Sequence, residues 1–276
     1  MKKDTNNKTI VKIPLSKLLK RFSNTNVIAN MEKEYQTATP RYISTNLIDD
    51  NAFIRKAKVN EEKLVKDFAS LAEKGLKSPL IIRAKKDHYE IILGRRRLLA
   101  SKKFNLPSVP CVLIDVGDEE TLLLLASDMR DSINRNMVEL SLVCNTLKER
   151  FNYSQRDISI LMHQSRAQIT NIMRILNLPD QVLNDVSIGK LSFGHAKAII
   201  TLPDQFITEI VQRIYTDTLS VRDTEKIIFE YKHGINYLPE ENRIDKKYNC
   251  KTNILRKRIV LSFETEEDQE KSLKKI

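Results

Sequence analysis

The sequence predicts an α+β multidomain chain: a small N-terminal α/β domain, a central all-α domain built on a helix-turn-helix, and a short strand-helix element at the end. Three observations predict it. Short β-rich runs alternate with helical periodicity from about residue 41 to 135, strand signals vanish from 136 to 235, and apolar alternation returns only after 254. A length of 276 residues suits two or three small domains.

Residues 1–40 form a polar, Asn/Thr/Lys-rich arm. Within it Leu15, Leu18, Leu19 and Phe22 fall at helical spacing among Lys17, Lys20 and Arg21, which reads either as a partner-docking segment or as a piece packed on its own domain. In the α/β domain, residues 61–74 predict a helix with Leu64, Phe68, Leu71 and Ala72 on one face and Gly75 as its stop. Residues 80–84 and 88–93 predict two strands joined as a hairpin through Lys85-Lys86-Asp87. Gly94 then opens a basic helix over 95–104, Pro107 and Pro110 bracket its exit, and residues 111–115 predict a further strand.

The helical domain spans 136–235, and a polar stretch with Gly234 and Pro239 reads as a linker over 236–253. From 254 to 276 the chain alternates Ile259, Leu261 and Phe263 against Arg258, Val260 and Ser262, and then Thr265-Glu266-Glu267-Asp268 places acids where a helix N-terminus favours them. One strand and one helix cannot bury a core alone, so this tail is expected to pair with a second copy of itself, making a homodimer.

Composition narrows the functional classes. A formal net charge of +11 suits a polyanionic partner, nucleic acid or an anionic membrane. Aromatic residues at 6%, no Trp and six Gly argue against a large β-rich enzyme. The longest apolar run, residues 121–126, is far shorter than the roughly 20 residues of a membrane span, so no stable membrane insertion is expected. No apolar core follows the basic N-terminus, so it does not read as a signal peptide. Cys111, Cys144 and Cys250 stand apart and the four histidines are scattered, which indicates neither a disulfide framework nor zinc. A cytoplasmic protein is expected.

The sharpest local signal runs from Tyr153 to Leu176. Ser154 with Asp157, and Ser165 with Gln168, read as two capping boxes eleven positions apart. Ile158, Leu161 and Met162 face inward on the first short helix; Ile169, Ile172, Met173 and Leu176 do so on the second. That is the helix-turn-helix layout, in which the second helix enters the major groove. Its outward residues are Arg166, Gln168, Thr170, Asn171 and Arg174, with Ser154, Gln155 and Ser165 at the two helix starts. Arg pairs with guanine, Gln or Asn with adenine, and Thr touches a thymine methyl. Downstream, Gly189-Lys190-Leu191-Ser192-Phe193-Gly194-His195-Ala196-Lys197 places Ser192 as an N-cap with Lys190, His195 and Lys197 nearby, an arrangement that suits a DNA phosphate. In the α/β domain, Gly94 at a strand-to-helix junction allows close approach of a phosphate, with Arg96 and Arg97 in the first turn and Lys77-Ser78 at a neighbouring turn. The same pattern also fits a solvated basic face or a second DNA contact.

These motifs, in this order, resemble the ParB family of plasmid and chromosome partition proteins. The run from Tyr153 to Leu178-Pro179 is similar to the family's T-Q-x-x-L-A…S-R-x-x-V-x-N-x-L-R-L-L-x-L-P, and residues 189–198 to its G-x-L-S-x-G-H-A-R-A. Gly75-Leu76-Lys77-Ser78-Pro79-Leu80 resembles G-x-x-Q-P-I/L, and Gly94-Arg95-Arg96-Arg97-Leu98-Leu99-Ala100 resembles the G-E-R-R-x-R-A box. The resemblance covers roughly residues 41–205 and the last 20 or so. It implies a ParB-like nucleotide-binding domain over 41–135, CTP with Mg²⁺ as cofactor, and nucleotide contacts from Gly75, Lys77, Ser78, Pro79, Gly94, Arg95, Arg96 and Arg97. It also implies a palindromic centromere site in double-stranded DNA, closure into a clamp, and a ParA-type ATPase engaged by the arm around residues 12–22. A nucleoid- or plasmid-associated location follows from these.

The departures are specific. Arg95 stands where the family has Glu, and Leu99 where it has a later Arg. The third nucleotide motif, E-N-x-x-R, is represented by Asp131-Ser132-Ile133-Asn134-Arg135, with Ser132 in place of Asn and Asp128 as a rival acid. Nucleotide binding with weak or absent CTPase activity is the expectation. The competing readings are a transcriptional repressor or nucleoid-occlusion relative without a ParA partner, and a nuclease. Clustered carboxylates of the two-metal type are not evident, which disfavours the nuclease.

Overall fold

The computed structural model describes residues 38–74, 78–132, 135–233, 251–255, 258–263, 265 and 269. Two compact units divide the chain, one ending at Phe193 and the other beginning at Gly194.

The first unit opens with a five-stranded sheet of β1 (Arg41–Ser44), β2 (Ile48–Asp49), β3 (Leu80–Lys85), β4 (His88–Leu93) and β5 (Ser108–Leu113), in the order β1-β5-β3-β4-β2. β3 and β4 form the expected antiparallel hairpin, closed at Lys85 opposite His88, with Lys86 at φ 47° in the two-residue turn. Successive residues point to opposite faces of the sheet. Leu80, Ile82, Ile91 and Cys111 pack with Leu98 on one side; Ile81, Ile92 and Val112 pack with Leu124 on the other. Both faces are therefore covered, which is why β3 reads as a continuous apolar run rather than an alternating one.

Three helices belong to this part: α1 (Glu61–Lys74), α2 (Arg95–Lys103) and α3 (Asp118–Asp131). Phe68 of α1 stacks on Phe104, just beyond α2, with ring centroids 3.9 Å apart. The strand expected at 111–115 instead begins at Ser108 and contains Pro110. Pairing with β3 starts only at Cys111, so Pro110 faces a strand on one side alone and its missing N–H is tolerated there. The two short strands β1 and β2 had no distinguishing sequence signal.

α4 (Met137–Phe151), α5 (Gln155–Leu161), α6 (Arg166–Arg174), a 3₁₀ turn (Ile175–Asn177) and α7 (Asp180–Ile188) complete the unit, with the first residue of α8 (Phe193–Ile199). Their core joins Leu140, Val143, Cys144 and Leu147 of α4 to Ile158, Leu161, Met162, Ile169 and Ile172. Leu122 and Leu125 of α3 enter the same core, so α3 lines the sheet with one face and the helical core with another.

In the second unit, α9 (Asp204–Thr216) buries Ile207, Ile210, Val211 and Ile214, and α10 (Val221–His233) buries Thr224, Ile227 and Ile228. Phe206 and Tyr231 meet with centroids 4.5 Å apart. The stretch read as a linker to residue 253 ends in a strand: β6 (Lys251–Leu255) pairs antiparallel with β7 (Arg258–Ser262) from Lys251 opposite Ser262 to Leu255 opposite Arg258. Its first three residues are polar, so no apolar alternation announced it. Of the expected final helix, one bond is described, from the Gln269 N–H to the Thr265 carbonyl at 3.3 Å. The N-terminal arm with its Leu15 to Phe22 helix lies outside the described residues. Among the described residues no helix is long and apolar enough to cross a membrane.

Candidate nucleotide cleft and nucleic-acid interface

A cleft of about 680 Å³ opens in the first unit at the junction of β4 and α2. Gly94 makes the junction possible. It adopts φ +96°, and a Cβ there would stand 2.7 Å from Leu80 Cδ2 and 2.8 Å from Arg97 Nη2. Arg95, Arg96 and Arg97 follow in the first turn of α2, and all three line the cleft with Ser78, Lys63, Ser132 and Arg135. Five cations thus face two carboxylates, Asp128 and Glu139, in the wall. Arg97 Nη1 also donates to the Ser78 carbonyl, holding the arginine turn against the β3 entrance.

Arg95 differs from its neighbours. It is only 7% exposed, and its guanidinium is committed to the protein. Nε and Nη2 donate to the two Asp50 oxygens at 2.7 and 2.8 Å, Nη1 donates to Glu139 Oε1, and Nη2 also reaches the Ala57 carbonyl at 3.0 Å. Burial opposes its charge, but the hydrogen bonds to Asp50 and the attraction of Glu139 outweigh that and hold the guanidinium above its ordinary pKa. Glu139 is the second acid on one arginine: burial pushes its carboxyl up further than Arg95 pulls it down. The expectation that Arg95 adds a phosphate ligand therefore meets a side chain already engaged on each of its donor faces.

The structure brings Ser78, Gly94, Arg96, Arg97, Ser132 and Arg135 to one cleft. Pro79 is half-buried beside Ser78, outside the lining, and Gly75 and Lys77 lie outside the described residues. Asp131 is not in the lining but pairs with Arg130, Oδ1 to Nε at 2.8 Å, and that contact lowers its pKa; the rival acid Asp128 does line the cleft. Residues missed in the sequence complete the walls: Lys63 from α1, Asn136 and Glu139 from the start of α4, and Leu191 to Phe193. A cap signal marked one of these places, because Asn136 three residues before Glu139 begins α4, and its Oδ1 accepts from the Val138 and Glu139 N–H groups at 3.0 and 3.4 Å.

The helix-turn-helix forms as read. Ser154 and Asp157 make a full capping box on α5. Ser165 caps α6 by accepting from the Gln168 N–H at 3.1 Å, but the reciprocal Gln168 side-chain bond is not present among the described residues, so this box is half of the one expected. The exposed Gln168 amide is turned to solvent instead. Arg166 and Arg174 are exposed on the same helix and Asn171 is half-buried. The Thr170 hydroxyl lies 2.9 Å from the Arg166 carbonyl and 3.3 Å from Gln155 Oε1, bracing α6 against α5. α6 stops at Arg174, and the tighter 3₁₀ turn shifts the phase. Ile175 is then buried at 0% while Leu176, expected inward, is half-buried.

α7 ends at Gly189, φ +81°, whose N–H donates to the Val186 carbonyl, while the Lys190 and Leu191 N–H groups both reach the Asp185 carbonyl. Lys190 and Ser192 are exposed on the step before α8. In the second unit, Lys197 is exposed, Gly194 is half-buried, and His195 Nε2 lies 3.1 Å from the Leu219 carbonyl.

Comparisons with known proteins agree on one family. The ParB N-terminal domain model matches residues 29–127 and the ParB HTH domain model matches residues 134–233. The probable chromosome-partitioning protein ParB of Borreliella burgdorferi is 32% identical over 199 residues, 71% of this chain and 75% of that protein. The Helicobacter pylori protein of the same description is 31% identical over 180 residues, 64% of this chain and 61% of its own length. Two crystal structures of C-terminally truncated ParB from Caulobacter crescentus align at 28% identity: one complexed to the centromeric parS site, with TM-score 0.41 over 69% of this chain and 99% of that one, and one complexed with CTP-γ-S, with TM-score 0.33 over 63% and 99%. On the strength of both domain models and of the identity to its Borreliella relative, this chain belongs to the ParB family of partition proteins.

Proposed function

We propose that this chain is a sequence-specific DNA-binding partition protein, gated as a clamp by CTP and acting with a ParA-type ATPase in plasmid or chromosome segregation. The observation that carries the reading is the pairing, in one compact unit, of a cation-lined cleft at Gly94 with a capped helix-turn-helix whose second helix exposes Arg166, Gln168 and Arg174. The first suits a triphosphate and the second suits a major groove.

The cleft fits a nucleotide in size, since ligand pockets run to about 300–1,000 Å³. Arg96, Arg97, Arg135 and Lys63 would hold the phosphates, and the bare backbone at Gly94 admits their close approach. Mg²⁺ keeps several waters and takes one or two carboxylates beside phosphate oxygens. Asp128 is the lining acid suited to that role, because Glu139 is engaged by Arg95. Bound there, the nucleotide would supply the free energy that favours one clamp state over another. Arg95 serves as a positioning residue that fixes the arginine turn, and with no carboxylate at position 95 turnover is weak or absent.

On the DNA side, Arg166, Gln168, Asn171 and Arg174 read base edges of an inverted repeat. Ser154, Gln155, Ser165, Thr170, Lys190, Ser192, Gly194, His195 and Lys197 hold the backbone or brace the residues that do. The C-terminal β6–β7 hairpin and the segment after it form the homodimer contact, and the basic arm around residues 12–22 engages the ATPase. Genome-wide immunoprecipitation of the tagged protein tests the whole: a few peaks over an inverted repeat with shoulders spreading for kilobases support it, and isolated promoter peaks without shoulders would replace it with a repressor.

A further inference from the structure

Residues 189–193 have two neighbours that concern function. Gly189, Leu191, Ser192 and Phe193 line the cleft, and Lys190 and Ser192 are the exposed pair assigned above to the DNA backbone. What holds this segment in register is the loop before α1. Asn60 Nδ2 donates to the Ile188 carbonyl at 2.9 Å, capping the last turn of α7, and Ser187 Oγ donates to the Lys58 carbonyl at 2.7 Å. Asn136 Nδ2 reaches the same Lys58 carbonyl at 3.1 Å and Ser187 Oγ at 3.1 Å. Each bond crosses from the sheet-side part of the unit to the helical part, and residues 58–60 lead directly into the α1 turn that carries Lys63 in the cleft wall.

We propose that Asn60 and Ser187 are positioning residues of a joint through which a nucleotide in the cleft weakens the DNA backbone contact of residues 189–193. This rests on the reading of the cleft as a nucleotide site and of Lys190 and Ser192 as DNA contacts. A triphosphate drawn to Lys63 and the arginine turn pulls the 58–60 loop, and through two hydrogen bonds it moves the end of α7. The same ligand also sets negative charge beside a segment meant for DNA phosphates. Both effects have one sign, and the linkage is reciprocal: bound DNA weakens nucleotide binding by the same factor. The two effects separate by salt, because repulsion between phosphates is screened while displacement through hydrogen bonds is not.

The test uses the full chain and a fluorescent duplex carrying its inverted repeat. Duplex Kd is measured with and without saturating CTP, at low and at physiological salt, and the ratio is the coupling factor. The wild-type ratio is expected at about 5-fold or more, within the usual range for coupled sites, and to persist at physiological salt. In Asn60→Ala/Ser187→Ala the ratio falls toward one, whereas Ser187→Thr, which keeps the hydroxyl, retains it. A merely structural role would shift both Kd values together and leave the ratio unchanged, which would overturn the joint. Loss of the wild-type ratio at physiological salt would overturn it as well, leaving only repulsion. Absence of CTP binding to the wild-type chain would remove the joint together with the nucleotide reading, and is told apart by a direct titration of CTP without DNA.

Discussion

Arg95 and Asp50 meet through a two-bond fork, Nε to Oδ1 at 2.7 Å and Nη2 to Oδ2 at 2.8 Å, at the floor of the cleft. Glu139 takes the remaining face of the same guanidinium. Removing the arginine leaves two acids facing each other with no cation, a loss of about 3 kcal/mol or more for a buried pair. Arg95→Glu, which restores the usual family residue, is therefore expected to destabilise this chain rather than repair its chemistry, because it brings a third carboxylate to Asp50 and Glu139. Urea denaturation of Arg95→Glu and Arg95→Met checks this; a wild-type midpoint for Arg95→Glu would show that the network carries little stability.

Gly94→Ala is expected to cost about 1–2 kcal/mol from the left-handed backbone alone. Its Cβ also meets Leu80, which is fully buried and has no room to yield. Nucleotide binding, followed by calorimetric titration with CTP, is expected to fall further than stability, since the arginine turn begins at this residue.

Arg166→Ala distinguishes base reading from backbone contact. If Arg166 pairs with a base, specific affinity falls by about 1–3 kcal/mol and discrimination is lost at one position of the repeat. Equal weakening on all sequences, with a shallower dependence on salt, would make it a phosphate contact instead. Fluorescence anisotropy against the repeat and a scrambled duplex, at two salt concentrations, reads both.

Ser154→Ala removes the donor-satisfying cap of α5 and half of its box, with an expected cost of about 1 kcal/mol. Ser165→Ala removes a cap with no reciprocal bond and is expected to cost less. Thermal melts of the two variants order them, and the reverse order would contradict the assignment.

The buried thiols make a pH prediction. Burial pushes the Cys111 thiol up to about 11 and the Cys144 thiol up to about 12. A raised folded pKa means the folded state holds its proton longer. The stability these thiols contribute is therefore complete below the ordinary value of 9.0 and is lost as pH rises through about 11 and 12. In a Cys250→Ser background, neither remaining thiol is expected to react with a disulfide reagent at pH 8 unless urea is added; prompt labelling of the folded protein would contradict their burial.

Local pattern made much of this chain legible. The bounds of α1, the β3–β4 hairpin, the start of α2 and both caps of the helix-turn-helix follow from residues within a few positions of one another, and these the sequence by itself determined. The triad of motifs that marks the family is likewise a matter of order and spacing. Tertiary structure decided what depends on distant acceptors. Arg95 reads as a phosphate ligand beside Arg96 and Arg97, but Asp50 and Glu139, each more than 40 positions away, claim it. Ile175 replaces Leu176 in the core because a 3₁₀ turn changes the angle per residue, which apolar spacing read at helical period does not register. The cleft itself has walls from α1, α2, α3, α4 and the end of α7, and the Lys58 carbonyl that ties them belongs to a loop with no motif. Periodicity reports which face of an element is buried; it carries no information on which buried polar group meets which, because that pairing is made only when the elements pack.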